Sequence, residues 1–119
     1  MPRSPRPPMR EPSYFVLAAL LDGPRHGYVV IQRVAELSGD RVRLAAGSLY
    51  SVLDRLLGEG LVAVTGEEIV NGRARRYYAL TDTGREALNE EAARMAEAAR
   101  IVTERAAAPA PRTLRVRPA

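Results

Sequence analysis

Residues 47–81 constrain this chain more than any other stretch. Gly47-Ser48-Leu49-Tyr50-Ser51-Val52-Leu53-Asp54-Arg55-Leu56-Leu57 carries Leu49, Val52, Leu53 and Leu56 at helical spacing, and Gly58-Glu59-Gly60 stops it. Two strand-like runs follow, 61–67 and 74–80, on either side of Asn71-Gly72. Asn-Gly suits a two-residue hairpin turn because both residues tolerate positive φ. Arg73, Arg75 and Arg76 come directly after the turn. A short helix leading into an arginine-tipped hairpin can lay the helix in a DNA major groove and bring the hairpin to the neighbouring backbone.

The rest of the chain supplies the support for that pair. Residues 13–22 predict a compact apolar helix ended by Gly23-Pro24, and 27–38 a second, closed by Gly39-Asp40. The second carries Ile31, Val34 and Ala35 at helical spacing, with Tyr28 one turn earlier. Val42-Arg43-Leu44 alternates and predicts a short strand. The third helix covers 46–58. With a two-residue turn at Asn71-Gly72, Leu61, Ala63 and Thr65 share a buried face with Tyr78 and Leu80. A last helix starts at Thr81-Asp82 and runs to about Arg105. Its apolar positions, Leu88, Ala92, Met95, Ala99, Val102 and Ala106, alternate spacings of four and three, the seam of a coiled coil. Glu90 and Arg94, one turn apart, support its exposed side. A helix this long with its own seam calls for a second copy of the chain.

The expected fold is therefore mainly α with a small β-hairpin wing (α+β). A winged helix-turn-helix fills 11–80 and a C-terminal dimerisation helix 81–106. A disordered basic tail, 1–10, precedes them, and a disordered Pro/Arg tail, 107–119, follows.

At 119 residues the chain is one domain's worth, and a domain this small gains from a dimer interface. No apolar run approaches the roughly 18 residues of a membrane span, and the first residues lack the apolar stretch of a signal peptide. With no cysteine there is no disulfide and no thiolate metal site, and the cytoplasm is the expected compartment. The net charge of +4 misleads. All 18 cationic side chains are arginine, and Arg3, Arg6, Arg10, Arg112, Arg115 and Arg117 lie in the acid-free tails. That leaves 12 arginines against 14 acids over 11–105, a balance of −2. A case for nucleic acid must rest on where particular arginines fall.

Several segments in order resemble the PadR family of bacterial transcriptional regulators. They are His26-Gly27-Tyr28, Gly47-Ser48-Leu49-Tyr50, Leu53-Asp54-Arg55-Leu56, Glu59-Gly60-Leu61-Val62, and Gly72 through Gly84 with its Arg73-Ala74-Arg75-Arg76-Tyr77-Tyr78 core. The likeness spans roughly 13–105. It implies a homodimeric winged-helix repressor with a C-terminal dimerisation helix and a near-palindromic operator. The sequence departs from the family where Ala45-Ala46 replace a frequent Ser-Pro, Ser51 a proline after the helix tyrosine, and Ala74 a wing proline. Loss of a serine cap costs on the order of 1 kcal/mol.

The residues expected to meet DNA are Gly47, Ser48, Tyr50, Ser51 and Arg55 on the third helix and Arg73, Arg75 and Arg76 on the wing. Tyr50 offers a hydroxyl to a phosphate or base edge, and Ser48 and Ser51 are small enough for close approach. Arg55 suits a phosphate or Glu59 at i+4 equally. The wing arginines concentrate positive potential at a protruding point. Leu88, Ala92, Met95, Ala99 and Val102 are the expected dimer contacts. Tyr28, at the head of an apolar stripe, is read as core, and His26 as a helix-start residue. One histidine cannot build a metal site, nothing calls for a cofactor, and no nucleophile stands beside an oriented base. The pairs Glu67-Glu68 and Glu90-Glu91 point apart, unlike an acid/base couple. Some family members sense small molecules between subunits; no residue here names an effector. The near-neutral middle leaves a second reading open, a winged-helix module for protein–protein contact.

Overall fold

The computed structural model describes residues 6–109, so expectations for 1–5 and 110–119 fall outside it. In chain order the elements are α1 (Glu11–Ala19), β1 (Arg25–His26), α2 (Gly27–Leu37), α3 (Ala46–Gly58), β2 (Val62–Val70), β3 (Arg73–Leu80) and α4 (Asp82–Ala107). The sheet is antiparallel in the order β1-β3-β2. The α+β layout expected from the sequence is the one observed.

The core forms where the helical stripes meet the root of the hairpin. α1 contributes Val16 and Leu17, α2 Val30 and Val34, and α3 Leu49, Leu53 and Leu56, all at 2% exposure or less. Leu61, Val62, Tyr78, Ala87 and Leu88 close the cluster from the sheet and α4. Each of these valines and leucines taken from water stabilises the fold by about 1.5–3 kcal/mol.

α1 begins at Glu11 with Pro12 in its first turn, where a missing N–H costs nothing. It ends at Ala19, three residues short of the expected Asp22. Residues 6–10 belong to the fold rather than to a loose tail: Met9 packs on the core, and Arg6 lies 2.6 Å from Glu90 of α4.

Two strand-level expectations are corrected and one strand is added. Val42-Arg43-Leu44 is loop, because the Ser38 hydroxyl captures the Val42 N–H at 2.9 Å and buries Val42 as a tether. A third strand forms instead at Arg25–His26, opposite Tyr78 and Tyr77. The hairpin does turn at Asn71-Gly72, with φ of 52° and 76° and Val70 opposite Arg73. The ladder then slips between Val64 and Gly66, leaving Thr65 as an extra residue. Beyond that bulge every side chain changes face. Val62 pairs with Leu80 and Val64 with Tyr78, in place of the expected Ala63 and Thr65.

α4 is fixed at its root. The Thr81 hydroxyl donates to the Gly60 carbonyl at 2.6 Å and accepts from the Gly84 N–H at 2.9 Å, while the Thr81 N–H donates to the Leu61 carbonyl. The helix lies so close that a Cβ on Gly84 would come 1.8 Å from the Leu61 oxygen. From Ala93 to Ala107 every residue is exposed, so the outer half projects from the protomer.

Candidate nucleic-acid interface

The face of α3 opposite Leu49, Leu53 and Leu56 is open. Gly47, Ser48, Tyr50, Ser51, Asp54 and Arg55 are all exposed along it, Tyr50 at 48%. Its first turn has no side-chain cap; Ala45 holds the extended N-cap conformation but offers no acceptor. The Ser51 hydroxyl donates back to the Gly47 carbonyl at 3.1 Å, which leaves its lone pairs outward. Tyr50 leans over the start of α2, where only a glycine fits comfortably: a Cβ on Gly27 would stand 3.0 Å from the Tyr50 hydroxyl. Arg55 lies at the far flank, 3.7 Å from Glu59 and 3.4 Å from the Ser13 hydroxyl.

Strand alternation divides the wing arginines. Arg73 and Arg75 stand on one face with Glu68, Val70 and Tyr77; Arg76 stands on the other with Glu67, Ile69 and Ala74. The single cationic cluster expected from sequence is thus two groups. They also differ in how free they are. Glu68 lies 4.0 Å from Arg75 and accepts from the Tyr77 hydroxyl at 2.6 Å. That bond raises the Tyr77 pKa and keeps the phenol protonated. Among the described residues, Arg73 and Arg76 have no carboxylate partner within 4.0 Å. Arg76 instead lies against the Tyr78 hydroxyl, whose pKa is raised by burial and then by Tyr50 nearby.

Between the helices and the wing opens a groove of about 520 Å³, with Tyr28 and Tyr50 on one side and Val70, Arg73, Arg75 and Arg76 on the other. Tyr28 corrects a sequence expectation. It is 67% exposed, because the buried stripe of α2 is centred on Val30 and Val34 and Tyr28 falls beyond its edge. His26 sits at the groove floor as the α2 N-cap residue, edge-on to Tyr77 with ring centroids 5.7 Å apart. Partial burial lowers its pKa, and the Arg75 charge adds to the effect.

The expected dimer seam splits as well. Leu88 is 3% exposed and belongs to the protomer's own core, and Ala92 is half-buried. Met95 at 44% and Val102 at 66% are open, as is Ala99. Ile101, which falls between seam positions and was missed in the sequence, adds another exposed apolar side chain at 47%. Arg100 pairs along the helix with Glu97 and Glu104, which supports this outer half.

Among the described residues no helix is long and apolar enough to cross a membrane, and no His, Asp and Glu group could hold a metal ion.

Comparison with known proteins agrees with this architecture. The chain is 40% identical over 87 residues to the transcriptional regulator Rv3488 of Mycobacterium tuberculosis, a match covering 73% of this chain and 78% of that protein. It is 44% identical over 91 residues to a 37.1 kDa protein in transposon TN4556 of Streptomyces fradiae, 76% of this chain but only 25% of that one. The crystal structure of Bacillus subtilis PadR in complex with operator DNA shares the fold, with a TM-score of 0.63 at 23% identity, over 90% of this chain and 54% of that one. Residues 16–90 match the model of the PadR-like family, whose members regulate transcription and are not enzymes. The chain belongs to the PadR-like family of transcriptional regulators.

Proposed function

We propose that this chain is a homodimeric repressor that binds a near-palindromic DNA operator in the cytoplasm. The observation that carries the reading is the juxtaposition of α3's open, small-residue face with a hairpin bearing Arg73, Arg75 and Arg76 across one groove. In this reading α3 enters the major groove, with Gly47, Ser48, Tyr50 and Ser51 nearest the bases, while Arg55 and the wing arginines take phosphates. The B. subtilis relative was crystallised with its operator DNA, and its shared fold supports DNA as the partner here. The exposed outer half of α4, with Met95, Ala99, Ile101 and Val102, supports pairing of two copies. Two-fold symmetry then sets two α3 helices in successive major grooves, roughly 34 Å apart. The test is titration of fluorescent duplex from the host's own upstream region at several salt concentrations. Wild type should prefer it over random duplex, and the Arg73→Ala/Arg75→Ala double variant should bind all sequences more weakly with a flatter salt dependence.

A protein–protein role without DNA is the second reading, favoured by the balance of −2 over residues 11–105. Equal affinity and salt slope in wild type and the double variant would favour it.

A further inference from the structure

Resting on the operator reading above, we infer that Asp54 is a specificity-determining residue that reads a cytosine in each half-site. Gly47, Ser51, Asp54 and Gly58 succeed one another at four-, three- and four-residue steps, a single line along the middle of the exposed face of α3. Asp54 stands about 10 Å along the helix from Gly47, within the first two turns after it. Its neighbours on that line are two glycines and a serine, and the bulky Tyr50 stands one turn before it on the flank. Most other acids of the described chain have an arginine, as Glu11 has Arg41, Asp22 has Arg33 and Glu59 has Arg55, while Glu67 and Asp82 share with Asp54 the lack of one within 4.0 Å among the described residues. Asp54 has none within 4.0 Å among the described residues, although Arg55 is its neighbour in sequence. Asp54, Tyr50 and Arg76 all lie near enough to the Tyr78 hydroxyl to act on it.

The chemistry narrows what such a group can read. Serine and tyrosine hydroxyls both donate and accept, so they discriminate weakly between base edges. Asp54 only accepts, and it is the one acceptor-only side chain between Ala46 and Gly58. In the major groove a carboxylate finds donors in the cytosine N4 and adenine N6 amino groups; adenine N7 beside its amino group, guanine N7 and O6 and thymine O4 repel it, which leaves cytosine the best match. An unpaired negative charge in the centre of a face bound to phosphates weakens attachment to duplex at large. The charge is repaid only where the amino group is present, so the device trades general affinity for selectivity.

The experiment is selection from a duplex library with a randomised core, using the full-length wild type, Asp54→Ala and Asp54→Asn, followed by affinity measurement on random duplex. Wild type should enrich a two-fold motif with cytosine at one fixed position per half-site. Asp54→Ala should enrich the same motif with that position degenerate, losing roughly ten-fold in preference there. Asp54→Asn should move the preference toward adenine, whose N6 and N7 an amide matches. Both variants should bind random duplex more tightly than wild type. An unchanged motif in Asp54→Ala, with unchanged affinity for random duplex, would overturn the inference and leave the operator reading standing. A wild type that enriches no sequence would overturn both. The three proteins should unfold at nearly the same temperature, because the side chain is exposed and has no arginine within 4.0 Å among the described residues; a large drop in Asp54→Ala would show a structural role and overturn the inference as well.

Discussion

At the scale of single residues, the structure separates side chains that the sequence presents as equivalent. Arg73, Arg75 and Arg76 lie within four positions, yet Arg75 has Glu68 at 4.0 Å while Arg73, on the same face, has no carboxylate within 4.0 Å among the described residues. An exposed pair of this kind is worth only about 0–1 kcal/mol, so Glu68 tempers Arg75 without disabling it. Arg73→Ala should therefore cost more DNA affinity than Arg75→Ala, and Glu68→Gln should raise affinity and steepen its salt dependence; equal losses in a titration would contradict this. Gly84 has no such latitude. Alanine there would put a methyl 1.8 Å from the Leu61 oxygen, forcing α4 off its seat. The expected loss is about 3 kcal/mol or more, a fall in Tm of at least about 10 °C by calorimetry. His26 sets a pH dependence. Its pKa in the fold is lowered by burial and by Arg75, so folding favours the neutral ring. That contribution is fully present above about pH 6.5 and is lost as pH falls through the lowered value. Thermal melts at pH 7 and pH 5 should show a drop that His26→Gln reduces; an equal drop in both proteins would remove His26 as the cause.

At the scale of elements, what the sequence made legible follows its strongest periodicities. Leu49, Leu53 and Leu56 repeat at helical spacing, and α3 spans Ala46–Gly58 as that repeat predicts. Asn71-Gly72 set the turn for the same kind of reason, since few other pairs accept φ of 52° and 76° together. Thr65 shows where the pattern ran out. A bulge adds one residue without altering composition, so counting from the turn pairs Ala63 and Thr65 with Leu80 and Tyr78 where the ladder pairs Val62 and Val64, while Leu61, just before the strand, is buried as expected. Arg25–His26 was invisible because two residues cannot display a period; its pairing depends on Tyr77 and Tyr78 far along the chain. Tyr28 heads the apolar stripe of α2 by spacing, but the buried positions centre on Val30 and Val34, and their arc leaves Tyr28 in solvent. The uncapped start of α3 was legible, in Ala45, and it makes a prediction. Ala45 already has extended N-cap backbone angles, so Ala45→Ser should supply the missing acceptor. It should stabilise the protein by about 1 kcal/mol, or roughly 4–8 °C in Tm. No rise in melting temperature would mean that the hydroxyl does not reach the first-turn N–H groups.

At the scale of the whole molecule, two halves of α4 have different duties in this account. Its root, with Ala87 and Leu88 buried and Gly84 against Leu61, belongs to the protomer. Its outer half offers Met95, Ile101 and Val102 to solvent and fits a second copy. Leu88→Asp would therefore unfold the chain rather than part a dimer. Met95→Asp places its charge only in the proposed seam and should give a folded monomer. Sedimentation that still shows a dimer would move the interface elsewhere. In the proposed assembly, pairing turns one open helix face into an operator reader by fixing the spacing between two copies of α3. Hydroxyl-radical footprinting of the wild-type protein on its own upstream region tests this most directly. The account predicts two protected windows centred about one helical turn apart on one face of the duplex, related by a two-fold axis. A single window, or protection without such symmetry, would contradict it.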